Sequence, residues 1–291
     1  MRPANNPGDP RPIGMLDSGV GGLSVLQEVR NLLPHESIIY VGDEGHMPYG
    51  PRPRDQIRAF VTGIIRFLID EGCKLIVIPC NAANAAALHY AREVFPQMPI
   101  VGMEPAIKPA AEHTKTGVIG VITTKATYQG ELFASVIDRF ANGIKVETQV
   151  CPDLVLLVER GAPDTPEAHA IIAGYLEPLQ AAGIDELVIG CTHFPFLDKQ
   201  LRAQLGPGVE IVDPGPAVAR QVSRVLERQQ LANLSDAPAT VRYVTTGDAA
   251  HFRELLTTLI HEDHADVSVA NWSESSADLA RVPRLQLAQV R

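Results

Sequence analysis

The sequence predicts an α/β protein of two pseudo-symmetric three-layer domains with mainly parallel sheets, and an active site in the cleft between them. Three observations carry this. Short β-branched apolar runs alternate with longer helical stretches along the chain, the pattern of parallel strands joined by crossover helices. The run Leu75, Ile76, Val77, Ile78 ends in Pro79-Cys80-Asn81, and Leu187, Val188, Ile189 ends in Gly190-Cys191-Thr192, so one plan occurs twice. Ile13-Gly14-Met15-Leu16-Asp17-Ser18 also rhymes with Ile119-Gly120-Val121-Ile122-Thr123-Thr124, at nearly the offset that separates these two cysteines. A duplicated α/β unit, with one thiol from each copy facing a shared cleft, accounts for all three.

The elements follow in order. Residues 1–12 are Pro- and Asn-rich without an apolar core, which predicts a flexible arm rather than a signal peptide. A strand at 13–16 leads into the turn Asp17-Ser18-Gly19-Val20-Gly21-Gly22 and a helix over 23–33. A strand at 37–41 precedes a loop rich in turn residues over 42–50. An amphipathic helix covers 54–71. Strand 75–78 and an Ala-rich helix over 82–91 flank Cys80, and a strand follows at 100–101. The second series has helix 105–112, strand 117–122 and a hydroxyl-rich turn at 123–127 that opens one helix to 140. Strand 145–149, helices 153–160 and 166–182, the strand before Cys191, a helix to 205 and strand 209–212 complete it. Asp213-Pro214 starts a helix to 228. A Ser/Asn/Pro linker at 233–238 precedes strand 240–244 and helix 249–260. The polar tail 271–291 is expected to be disordered.

The chain has 291 residues, 45% hydrophobic and 5% aromatic, ample for two α/β units. A net charge of −9 argues against general nucleic-acid or anionic-membrane binding, since both want basic patches. No apolar run reaches the about 18 residues of a membrane span. Four cysteines without a C-x-x-C pair read as free thiols in a reducing cytoplasm, and no zinc pattern is present.

A thiol between the carboxyl end of a strand and the start of a helix lies in the crevice where open α/β sheets bind ligands. The helix end favours its thiolate. Two such thiols facing each other suit inversion of a stereocentre beside a carboxylate, which needs a base on one face of Cα and an acid on the other. Free cysteine is otherwise a small buried hydrophobe, and Cys73 and Cys151 read that way. Asp17 and Ser18 close the first strand beside a Gly-rich turn whose backbone N–H groups could meet a carboxylate. It is not a dinucleotide fingerprint, because Ser24 stands where the third glycine belongs. Thr124 and Thr127 occupy the matching turn of the second half, where they could equally cap a helix. His193 could tune Cys191 or be structural. Glu159, by position alone, is a surface charge at a helix end. Asp43, Glu44 and His46 match no metal-site spacing.

Together, Asp17-Ser18-Gly19-Val20-Gly21-Gly22-Leu23, Pro48-Tyr49-Gly50, Cys80-Asn81, Gly190-Cys191-Thr192-His193-Phe194-Pro195 and Thr245-Thr246-Gly247-Asp248 resemble the glutamate racemases of the aspartate/glutamate racemase superfamily, over about residues 13–260. The resemblance implies cofactor-independent racemisation of a small-molecule substrate, glutamate, supplying D-glutamate for peptidoglycan in the cytoplasm, with no metal; a homodimer is expected. It implies a first domain of 13–103 plus 214–270 and a second of 104–213. By motif, Cys80 would take the proton from D-glutamate, assisted by Asp17, and Cys191 from L-glutamate, assisted by His193. Glu159 resembles an acidic residue near the second cysteine. Asp17, Ser18, Tyr49, Gly50, Asn81, Thr124, Thr127 and Thr192 match substrate-binding positions. Two departures stand out. The family has Thr where this chain has Ala82, and Asn84 in the same helical turn is expected to supply the missing donor. The loop before Pro48 reads Asp43-Glu44-Gly45-His46 in place of Asp-Thr-Ala. The alternatives are a sister racemase for aspartate or a hydantoin, a two-domain binding protein, which needs no thiol pair, and a dithiol redox protein, which needs its sulfurs within bridging distance.

Overall fold

A computed structural model describes residues 8–273 and 283–288. The chain begins with β1 (Ile13–Asp17), α1 (Leu23–Leu32), β2 (Ile38–Gly42), α2 (Arg54–Asp70), β3 (Leu75–Val77), α3 (Asn81–Val94) and β4 (Ile100–Val101). It continues with α4 (Ile107–His113), β5 (Val118–Thr123), α5 (Lys125–Tyr128), α6 (Glu131–Phe140), β6 (Lys145–Val150), α7 (Pro152–Val158), α8 (Pro166–Ala181), β7 (Glu186–Gly190), α9 (Asp198–Leu205) and β8 (Glu210–Val212). It closes with α10 (Gly215–Arg228), β9 (Val241–Thr245), α11 (Ala249–Ile260), β10 (Asp266–Trp272) and β11 (Leu285–Leu287).

These strands form two sheets. One runs β11-β10-β9-β2-β1-β3-β4 and the other β6-β5-β7-β8. The paired strands are parallel except for β10 with β11. The order β2-β1-β3-β4 of the first sheet is repeated as β6-β5-β7-β8 in the second. The internal rhyme of the sequence is thus a repeated topology.

Period-two alternation explains the layers. Ile13, Met15, Ile38, Tyr40, Leu75 and Val77 share a cluster with α1 and α10, while Leu16, Ile39, Val41, Ile76 and Ile78 share one with α2 and α3. In the second sheet Ile119, Val121 and Val188 meet α4 and α6. Ile122, Leu187 and Ile189 face the side chains of α7, α8 and α9. The α1/α10 layer and the α7–α9 layer belong to one continuous apolar cluster, which joins the two halves behind the cleft. Each fully buried Leu or Ile in it contributes roughly 1.5–3 kcal/mol.

Several elements differ from the sequence expectation. The single helix expected to 140 is broken at Gly130 into α5 and α6: Gly130 has extended φ/ψ and caps α6. The strand β10 was not expected; only Val267 and Ala270 of it are buried, without the continuous apolar run that marks the central strands. Part of the tail expected to be disordered forms β11, which pairs with Ala270, Asn271 and Trp272; residues 274–282 and 289–291 of that tail lie outside the described residues. Of the expected arm, residues 1–7 lie outside the described residues. Its remainder is tied down, because Gly8 bridges Asn233 and the Lys74 ammonium donates to the Asp9 carbonyl at 2.6 Å. Among the described residues, no helix is long and apolar enough to cross a membrane.

Candidate active site

In each half the sheet order reverses beside its first strand, between β1 and β3 and between β5 and β7. That reversal opens the crevice where α/β sheets take ligands. Asp17 ends β1 and Cys80 caps α3; Thr123 ends β5, and Cys191 follows β7. Both thiols line one cleft of about 270 Å³. Ser18, Tyr49, Gly50, Asn81 and Ala82 line it from the first half, and Thr124, Thr192 and His193 from the second. Asp17, Glu159 and Thr127 lie behind these lining residues. Thr127 is buried, its hydroxyl 3.1 Å from that of Thr124. Lys125 and the apolar wall of Val150, Pro152, Val155 and Leu156 also line the cleft. None of these was singled out as a site residue; for the four apolar ones the reason is that an apolar residue at the end of a strand or on a short helix carries no chemical signature in sequence.

The Cys80 side is held by Asp17, which is fully buried. The Ser18 hydroxyl donates to Asp17 Oδ1 at 3.1 Å, and the Cys80 Sγ lies 3.9 Å from that hydroxyl. The Thr192 hydroxyl, from the other half, donates to Asp17 Oδ2 at 3.0 Å. Burial pushes the Asp17 carboxyl up, partly offset by the His193 charge and by these hydrogen bonds. Burial and the Asp17 charge push the Cys80 thiol well above its ordinary range. The expected stabilisation of a thiolate by the helix end is present, through the Ala83 N–H, but desolvation outweighs it.

The Cys191 side is a relay. Its Sγ is 3.7 Å from His193 Nδ1, and His193 Nε2 is 2.7 Å from Glu159 Oε1. Both partners of the latter pair are buried, at 3% and 6% side-chain exposure, so Glu159 is not a surface charge. Burial alone would pull the His193 imidazole down. The hydrogen bonds with Cys191 and Glu159 overcome it and raise the ring well above its ordinary value. The Gly-rich turn exists for this pair. A Cβ on Gly21 would lie 2.3 Å from His193 Nδ1, and one on Gly19 would lie 2.3 Å from Glu159 Oε1. The Val20 N–H is spent on Glu159 at 3.3 Å, so the turn serves the relay rather than offering that donor to a ligand.

Two amides resolve differently. Asn81 is 4% exposed, lines the cleft, and neither its Nδ2 nor its Oδ1 has a partner among the described residues. An unpaired buried amide costs about 1–3 kcal/mol, which a ligand can return. Asn84 does not replace the hydroxyl that Ala82 lacks. Its Nδ2 donates to the carbonyls of Ile78 at 2.6 Å and Cys80 at 2.8 Å, so its donors hold the backbone under the thiol. Among the described residues no group of three His, Cys, Asp or Glu could hold a metal ion.

The family model for the Asp/Glu/Hydantoin racemases matches residues 20–222. A glutamate racemase of Ectopseudomonas mendocina is 47% identical over 251 residues, 86% of this chain and 95% of that protein. The crystal structure of Escherichia coli glutamate racemase in complex with L-glutamate and activator UDP-MurNAc-Ala has a TM-score of 0.79 at 32% identity, covering 89% of this chain and 97% of that one. The crystal structure of glutamate racemase from Francisella tularensis with D-glutamate has a TM-score of 0.79 at 28% identity, covering 93% and 99%. With its matching topology and two facing strand-end thiols, the chain belongs to the Asp/Glu/hydantoin racemase family, among the glutamate racemases.

Proposed function

We propose that this protein interconverts L- and D-glutamate by proton transfer between two cysteines and the substrate Cα, without a cofactor, and so supplies D-glutamate for peptidoglycan. The observation that carries the reading is that Cys80 and Cys191, from topologically equivalent places in two halves, line one cleft with different partners. With L-glutamate, Cys191 acts as base. The Cα–H bond breaks, an S–H bond forms, and the electron pair is left on Cα beside the carboxylate. The protonated His193 donates towards the Cys191 sulfur and is itself held by Glu159. Cys80, kept protonated by burial and Asp17, delivers its proton to the opposite face and becomes the thiolate. D-glutamate runs the same path backwards. The Asn81 amide is available to both the ammonium and the carboxylate groups, and the Ser18 and Thr192 hydroxyls, whose protons go to Asp17, keep lone pairs for the ammonium. Ala82 leaves one family hydroxyl out of this set.

The test is to incubate purified protein with L-glutamate in heavy water without added cofactor. The circular dichroism signal should decay to zero, with deuterium at Cα of the D product. No decay, or activity only with added pyridoxal phosphate, rules the reading out. The resemblance also implies a homodimer in the cytoplasm, which sedimentation and cell fractionation check.

A further inference from the structure

Asp43 follows β2 and lies outside the cleft, yet it is fully buried and several groups converge on its carboxylate. The Tyr49 hydroxyl donates to Oδ2 at 2.6 Å. The Thr246 hydroxyl donates to Oδ1 at 2.7 Å, and the Trp272 indole N–H at 2.9 Å. His46 Nδ1 lies 3.0 Å from Oδ2. The Asp43 backbone N–H donates to the Asp17 carbonyl at 2.9 Å, which ties this hub to the end of β1. His46 stacks on Phe60 at 3.8 Å, and Trp272 packs on both rings. Thus the loop that departs from the family pattern, and the Thr246 of its last motif, serve one buried carboxylate.

Of the groups bonded to Asp43, Tyr49 reaches the cleft wall. Its phenol is held protonated by burial and by the Asp43 charge, so it is a donor only to that carboxylate. A buried carboxylate whose acceptor sites are taken cannot shift without leaving donors unpaired, and such donors are costly in a low dielectric. Tyr49 is therefore mechanically tied to Thr246 and Trp272, which come from the far end of the chain.

We infer that Asp43 is a positioning residue for substrate binding, through which Trp272 of β10 and Thr246 after β9 hold Tyr49 and Gly50 at the cleft wall. The inference rests on the racemase reading and goes beyond it, because it makes the grip on glutamate depend on the seating of the C-terminal strands.

The chain has a single tryptophan, so its emission reports on the hub directly. In the wild type, titration with either enantiomer of glutamate should change Trp272 emission saturably, with a midpoint near KM. Asp43→Asn would disturb every bond of the buried hub at once, so the test uses milder changes. Trp272→Phe and Thr246→Val each remove one donor and should raise KM for both enantiomers about three- to tenfold while kcat stays within about twofold, the signature of lost uniform binding. Thr246→Ser restores the hydroxyl and should restore KM. Thermal melts confirm that each variant is folded. Wild-type turnover decides the functional reading by itself. An active wild type with unchanged KM in folded Trp272→Phe and Thr246→Val overturns the positioning role, as does a Thr246→Ser enzyme no better than Thr246→Val.

Discussion

Replacing Glu159 with Gln tests the relay at its root. The amide is nearly isosteric, and its carbonyl oxygen can keep both the His193 and Val20 contacts, so the charge alone is lost. With charge centres about 4 Å apart and an effective dielectric of about 20, the ion pair is worth roughly 4 kcal/mol. The amide keeps a neutral hydrogen bond of about 1 kcal/mol, leaving a loss of up to about 3 kcal/mol, or ten- to a hundredfold in rate. The two enantiomers of glutamate have equal free energy, so kcat/KM must fall equally in both directions of racemisation. The asymmetry appears in a reaction that each thiol performs alone: elimination from a β-leaving-group analogue of each enantiomer. Elimination from the L analogue, which Cys191 initiates, should fall ten- to a hundredfold, and from the D analogue by less than about threefold. The pH profile supplies a second readout. His193 has a raised folded-state value, so its charge, and the stability that comes with it, is fully present below the ordinary imidazole range and is lost as pH rises through the folded value. In Glu159→Gln the alkaline fall in kcat/KM should move to lower pH. Equal losses for the two analogues, or an unmoved alkaline limb, refute the relay.

The same elimination assay separates the thiols: Cys80→Ser should impair the D analogue more and Cys191→Ser the L analogue, and identical losses in both would end the two-base assignment. Asn81→Ala removes an amide that has no partner among the described residues, so KM should rise about tenfold while Tm stays level or increases; a large drop in Tm would contradict the unpaired amide. Glu44 has one carboxylate oxygen buried without a partner among the described residues, and burial together with the Glu159 charge lifts its carboxyl from the ordinary 4.5 to about 7. The unfolded chain thus ionises first as pH rises, and stability is lost across that window. Glu44→Gln should therefore raise Tm at pH 8 but not at pH 4; an equal gain at both would show that charge burial is not the cause.

Much of the architecture was legible because central parallel strands are buried on both faces. Runs such as Leu75–Val77 therefore read directly as strands. The pairing of Cys80 with Cys191 was legible for the same reason, since each terminates such a run. What was not legible depends on partners far away in sequence. Glu159 reads as an exposed helix end until the Gly19–Gly21 turn packs over it. Asp43 reads as a loop acid until Trp272 and Thr246 reach it. The protonation of Cys80 went the other way from the helix-end argument because a local dipole is weaker than complete desolvation beside a carboxylate. β10 was missed because a strand with two buried residues beside a polar tail resembles a loop.

The strand order of the larger sheet also sets a schedule for synthesis. β5 to β8 are contiguous in the chain, so the four-stranded sheet can close once its own residues have emerged from the ribosome. The larger sheet must wait, because β2 pairs with β9, which is made after the whole of the smaller one. During that interval β2 presents an open hydrogen-bonding edge, and Asp43 has neither Thr246 nor Trp272. A nascent chain at this stage already carries Cys80 and Cys191, the two thiols of the cleft, but not the groups that hold Asp43 and, through it, Tyr49. The seat of Tyr49 at the cleft wall is thus completed only by β9, β10 and the turn between them, which follow the whole of the smaller sheet in the chain.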